Sequence, residues 1–153
     1  MPRKRKNFFH EHSLTLIAAA ILVTWIVLYS RSDPRTRAGA FFGNATADWS
    51  GVVIVVLGTK YLYERGSAES NPVPRGPGGK LKHLLRAHSL TLILLITGAG
   101  WLALFLRMDP GSRWGQVVGN VLSEWVQVIG LVLLTKRFFE AGSHESNRRK
   151  RSA

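Results

Sequence analysis

Two acids stand alone inside long apolar stretches of this chain. Asp48 is the one charge between Ala38 and Thr59, and Glu124 is the one charge between Trp114 and Thr135. Ionised groups at membrane depth are costly, so they mark ion pairs, proton or ion pathways, or contacts between helices. Asn44 precedes Asp48 by four residues, and Asn120 precedes Glu124 by four. On a helix that spacing puts each amide on the face of its acid. Gln127 follows Glu124 on a neighbouring angle. Asn44, Asp48, Asn120, Glu124 and Gln127 therefore form a candidate intramembrane polar site. Two chemistries remain open for it: a structural ion pair with Arg31, Arg37, Arg107 or Arg113, or a proton or cation site. A paired-acid hydrolytic centre would need Asp48 and Glu124 side by side, and no other motif supports one.

A second set of titratable residues lies at the ends of the apolar stretches. His12 and His88 each precede one, while Lys60 with Glu64 and Lys136 with Glu140 follow others at i,i+4 spacing. The expectation is an interfacial cluster in which a His–Glu contact locks two helices together or senses pH. Two histidines with no spacing motif predict no metal, and the sequence implies no cofactor. Gly-x-Ser-x-Gly, His-Glu-x-x-His and the phosphate-binding Gly-x-x-x-x-Gly-Lys-[Ser/Thr] are absent, so the chain reads as no enzyme.

The elements that must position these residues come from a tandem repeat. Sliding the chain until His12 falls on His88 aligns His-Ser-Leu-Thr-Leu-Ile with itself. The same shift brings Trp25 onto Trp101, Arg31-x-Asp33-Pro34 onto Arg107-x-Asp109-Pro110, and Asp48-Trp49 onto Glu124-Trp125. Residues 1–71 hold a basic tail and the first copy. Residues 72–83, rich in Pro, Gly and Lys, read as a linker, and 84–153 hold the second copy and a basic tail.

Each copy reads as two helices. The first is uncharged from Ser13 to Ser30 and from Ser89 to Leu106, a run of about 27 Å at helical rise, close to a bilayer's hydrocarbon core. Asp33-Pro34 and Asp109-Pro110 fit an N-cap followed by proline at the first helical position. The second helix would then run to near Glu64-Arg65-Gly66, and to near Glu140-Ala141-Gly142, with glycine closing each. That makes it about 46 Å long against about 34 Å for a first helix over residues 8–30. The excess places Asp48 near the outer interface, with Trp49 and Trp125 in an aromatic belt. A separate interfacial or re-entrant helix over residues 37–47 is the alternative. Gly39 with Gly43, and Gly115 with Gly119, form Gly-x-x-x-Gly pairs suited to helix packing.

Charge sets the topology. The 153 residues carry 21 Lys+Arg against 9 Asp+Glu, net +12, and no cysteine, which excludes disulfides and thiolate chemistry. With four spans, the basic residues of the N-terminal tail, of the 60–86 connection and of the C-terminal tail fall on one side, the cytoplasmic one. Both termini are then cytoplasmic, and the two helical hairpins run parallel. The charge clusters at the mouths of apolar spans, so anionic lipid rather than nucleic acid is the expected partner.

Asn120-Val121-Leu122-Ser123-Glu124-Trp125-Val126-Gln127, followed by Leu133-Leu134-Thr135 and Gly142-Ser143-x-Glu145-Ser146, resembles an uncharacterised family of small multi-pass membrane proteins common in actinobacteria. The resemblance is best over the second helix of each copy. The first copy departs from it with Asp48, Ala47 and Gly51. It implies a bacterial integral membrane protein and carries no activity. The reading is an all-α, four-span bundle of two tandem hairpins in the inner membrane, possible as a homo-oligomer. Its role would be structural or interactive; the alternative is a small proton or cation channel or transporter.

Overall fold

A computed structural model describes residues 9, 12–74, 76, 79–138 and 143. Those residues form five helices and no strand: α1 (Ser13–Arg31), α2 (Arg37–Tyr61), α3 (Lys80–Ala87), α4 (Ser89–Arg107) and α5 (Arg113–Arg137). All but α3 are long and apolar enough to cross a membrane. α1 packs on α2, α4 on α5, and α2 on α5, so α2 and α5 form the centre and α1 and α4 flank it. Tyr29 meets Arg113 at one end, while Glu64 meets Lys136 and His88 at the other. Both hairpins therefore point the same way.

The exterior is unlike that of a water-soluble bundle, which hides one apolar stripe per helix. α1 exposes Leu16, Ile17, Val23, Ile26, Val27 and Leu28, and α4 exposes a similar aliphatic set. The interior between the long helices is mostly apolar, with Thr46 and Thr135 also buried there. Tyr29, Ala47, Val117, Val121 and Trp125 fill the half nearer the turns. Leu90, Leu94 and Val132 fill the other half.

Each hairpin turn uses hydroxyl chemistry that differs from the expected Asp cap. Asp33 Oδ1 accepts from the Arg35 N–H at 2.9 Å, and Asp109 Oδ1 accepts from Gly111 N–H at 2.9 Å. The aspartates thus close local turns. The true N-caps are Thr36 and Ser112, whose hydroxyls accept from Gly39 N–H at 3.1 Å and Gly115 N–H at 3.0 Å. Gly39 and Gly115 are required by the same turns. A Cβ on either would lie 2.0 or 2.1 Å from the carbonyl oxygen of Asp33 or Asp109.

Three further boundaries move. α2 ends at Tyr61 and α5 at Arg137, earlier than the Gly66 and Gly142 stops. Gly66 takes φ 90° in the following turn, the left-handed conformation glycine tolerates. Residues 37–47 belong to the continuous 25-residue α2 and form no separate helix. The linker expected over 72–83 gives way to α3 at Lys80. Asp48 and Glu124 each lie eleven residues into a 25-residue helix, about 17 Å from its start. They sit near the middle of their helices.

Candidate functional site

The polar residues of the central helices gather along one open side of the α2–α5 seam. Asn120 Nδ2 donates to Asn44 Oδ1 at 2.7 Å. Glu124 crosses toward α2, where Gly51 makes room: a Cβ there would lie 3.2 Å from Glu124 Oε2. Gln127 reaches Glu124 Oε1 at 3.5 Å, the limit of a hydrogen bond. Asn44, Asp48, Asn120 and Gln127 are exposed, and Glu124 is half-buried. The site therefore lies on the outside of the seam, not along a passage through it. Between α2, α4 and α5 lies a crevice of about 30 Å³ lined mostly by aliphatic side chains such as Ile54, Leu94 and Val128, with Thr59 and Glu69 also on its wall.

Of the arginines that could pair with the acids, Arg113 is engaged elsewhere. Arg113 Nη1 donates to the carbonyls of Tyr29 at 3.2 Å and Ser30 at 2.6 Å. No described lysine or arginine forms an ion pair with Asp48 or Glu124. Tyr29 completes the Arg113 clasp, its hydroxyl donating to Arg113 O at 2.6 Å. The second copy has Phe105 at that place and so has no matching bond. That difference between copies was the one signal in the sequence for the clasp.

The glycines are occupied within their own hairpins. Gly43 faces the Tyr29 ring, and an added Cβ would sit 2.9 Å from Tyr29 Cε2. Gly119 faces Phe105 in the same way at 3.2 Å. Trp125 is buried in the core instead of lying in an interfacial belt, and its Nε1 donates to Thr97 Oγ1 at 2.8 Å.

The other titratable cluster joins the two hairpins at the end opposite the turns. Glu64 is 1% exposed. Its Oε1 accepts from Lys136 Nζ and from His88 Nδ1, the latter at 2.6 Å, and its Oε2 accepts from Thr91 N–H at 3.3 Å. A carboxylate can only accept, so His88 carries its proton on Nδ1. The sequence suggested Lys60 as the lysine beside Glu64, but Lys60 Nζ instead donates to His12 Nδ1 at 2.8 Å. Glu140 lies outside the described residues. Burial opposes charge on Glu64, and the bonds from Lys136, Thr91 and His88 outweigh it, holding the carboxyl below its ordinary 4.5.

Residues that motif reading passed over surround this cluster. The segment after α2 folds under α4 and α5: Arg65 N–H donates to Ala87 O at 2.7 Å, and Leu90 N–H donates to Tyr63 O at 3.0 Å. Ser67 and Thr135 share a buried hydroxyl bond of 2.9 Å. Asn71 Nδ2 returns to Thr59 O at 3.0 Å, and Ser70 Oγ accepts from Glu64 N–H at 2.7 Å. The recurring Gly-Ser-x-Glu-Ser-Asn text was the available signal for this stitch. Among the described residues, no group of three His, Asp or Glu is placed to hold a metal. No protein-family model, curated protein or solved structure matches the chain.

Proposed function

We propose that the chain is a multi-pass integral membrane protein of the bacterial inner membrane, with both termini cytoplasmic, acting as a structural or interaction protein. The observation that carries this reading is the arrangement of polarity. Aliphatic residues cover the flanking helices, the interior is mostly apolar, and Asn44, Asp48, Asn120 and Gln127 face outward from the α2–α5 seam. A monomeric transporter would line an internal path with those residues; here they are offered to a neighbour. The resemblance of the α5 segment to small actinobacterial membrane proteins supports the placement. The basic residues at the Glu64 end support a cytoplasmic face drawn to anionic lipid.

A second reading is a proton or cation channel assembled between copies. It is favoured by mid-helix Asp48 and Glu124, which no described cation neutralises. Flux into proteoliposomes separates the two. Under the interaction reading, wild type and the Asp48→Asn/Glu124→Gln variant leave proton and alkali-cation gradients equally intact. A wild-type flux abolished in that variant establishes the channel and overturns the interaction reading.

A further inference from the structure

The outward face of α5 carries a pattern more regular than the polar site itself. Gln116, Asn120, Ser123, Gln127 and Gly130 recur at spacings of four, three, four and three. At 3.6 residues per turn they fall within about 80° of one another, directly opposite the buried Trp125. The four polar members are exposed, and an added Cβ on Gly130 would meet nothing within 4 Å. No described residue hydrogen-bonds the side chains of Gln116 or Ser123. The corresponding positions of α2 differ: Ala40 replaces Gln116, while Ala47 and Gly51, in place of Ser123 and Gln127, are buried. The stripe therefore belongs to α5 alone.

We propose that this stripe is a self-association seam, along which α5 packs against α5 of a second copy of the chain as a parallel, left-handed helix pair. The inference rests on the membrane reading and names the partner it left open. A repeat of 3.5 residues keeps one face turned toward a supercoiled neighbour. Copies inserted in the same orientation present α5 in parallel, with a two-fold axis along the membrane normal. The five stripe members are uncharged, and the acids Glu124 and Asp48 lie beside the stripe, Glu124 within reach of Gln127. The stripe's amides are self-complementary, because each carries both donor and acceptor. Asn120 keeps its oxygen and a second N–H after serving Asn44. In hydrocarbon, amide bonds across helices and a small residue that admits close approach are the established drivers of association.

The chain has no cysteine, so single substitutions report on contacts cleanly. Full-length protein in bilayers, carrying Ser123→Cys or Gln127→Cys, is treated with a mild oxidant beside Val126→Cys and Leu133→Cys, which are exposed on another face of α5. The expected result is a disulfide-linked dimer for the stripe positions at a rate at least about tenfold above the other two. Gly130→Leu gives a second test, since a Cβ added there would meet nothing within 4 Å inside one chain. Dilution in lipid should show its dimer weakened about tenfold or more. Equal cross-linking at all four positions, none at any, or a Gly130→Leu dimer as stable as wild type overturns the seam. Carbonate extraction is run alongside. Protein released from the bilayer would sink the membrane reading, whereas retained protein that fails to cross-link sinks the seam alone.

Discussion

Asn44 and Asn120 hydrogen-bond to each other at 2.7 Å although 76 residues separate them, and that separation is the period of the sequence repeat. The bond joins α2 to α5, and so one hairpin to the other. Its strength is testable because both partners are uncharged and neither fills the core. Asn44→Leu and Asn120→Leu should each cost about 1 kcal/mol, and the double variant little more than either. Unfolding in mixed micelles measures this. Fully additive losses would mean that the two amides do not depend on each other.

Glu64 gives a pH dependence with a definite sign. Its carboxyl titrates below the ordinary 4.5 in the folded protein, so the folded state holds the proton less tightly than the unfolded chain. The stability this contributes is complete above about 4.5 and is lost as pH falls through the lower folded value. Glu64→Gln should remove that acid-side loss. At neutral pH it should cost about 3 kcal/mol, because Lys136 is left without its carboxylate. Denaturation midpoints of wild type and variant between pH 3 and pH 7, read as about 4 kcal/mol or less apart throughout and converging toward acid, would agree. Parallel curves would mean that Glu64 does not titrate as the contacts require.

The partner of Glu64 also shows how far the sequence could be read. The four long apolar helices were legible because lipid-length apolar runs need only local composition. Local spacing also pointed to Lys60 as the neighbour of Glu64, since i,i+4 pairs are all that one helix can display. The segment after Tyr61 instead leaves the helix and turns under the other hairpin, so Lys136 and His88 take that place. The recurring Gly-Ser-x-Glu-Ser-Asn text marked that segment but did not say which residues it would dock against. The caps were missed for another reason. Asp33-Pro34 satisfies the rules for a cap by type, but Thr36 and Ser112, hydroxyl residues in register in both copies, hold the geometry.

Tyr29 tests the asymmetry between the copies. Its hydroxyl bond to the Arg113 carbonyl has no counterpart at Phe105. Tyr29→Phe should therefore destabilise the protein by about 1 kcal/mol, and the ring packing against Gly43 should survive. Thermal unfolding followed by tryptophan fluorescence reads the change. A variant as stable as wild type would show that the clasp is held by Arg113 Nη1 on the Tyr29 and Ser30 carbonyls alone.

The glycines should rank by what surrounds them rather than by their helical setting. A Cβ at Gly39 or Gly115 would drive into main-chain carbonyls at 2.0 and 2.1 Å, and backbone in a closed turn cannot move aside without opening the turn. At Gly43 the obstacle is the buried ring of Tyr29 at 2.9 Å, which is confined by its hydroxyl bond. At Gly100 nothing lies within 4 Å. Alanine at Gly39 or Gly115 should thus cost the most, about 3 kcal/mol, and alanine at Gly43 about 1–2 kcal/mol. Gly100→Ala should leave stability unchanged or slightly raised, since alanine is the better helix former. Melting temperatures of the four variants in one detergent give the order directly. A Gly100→Ala loss as large as that of Gly39→Ala would mean that the open face of α4 at Gly100 is covered by something outside the single chain.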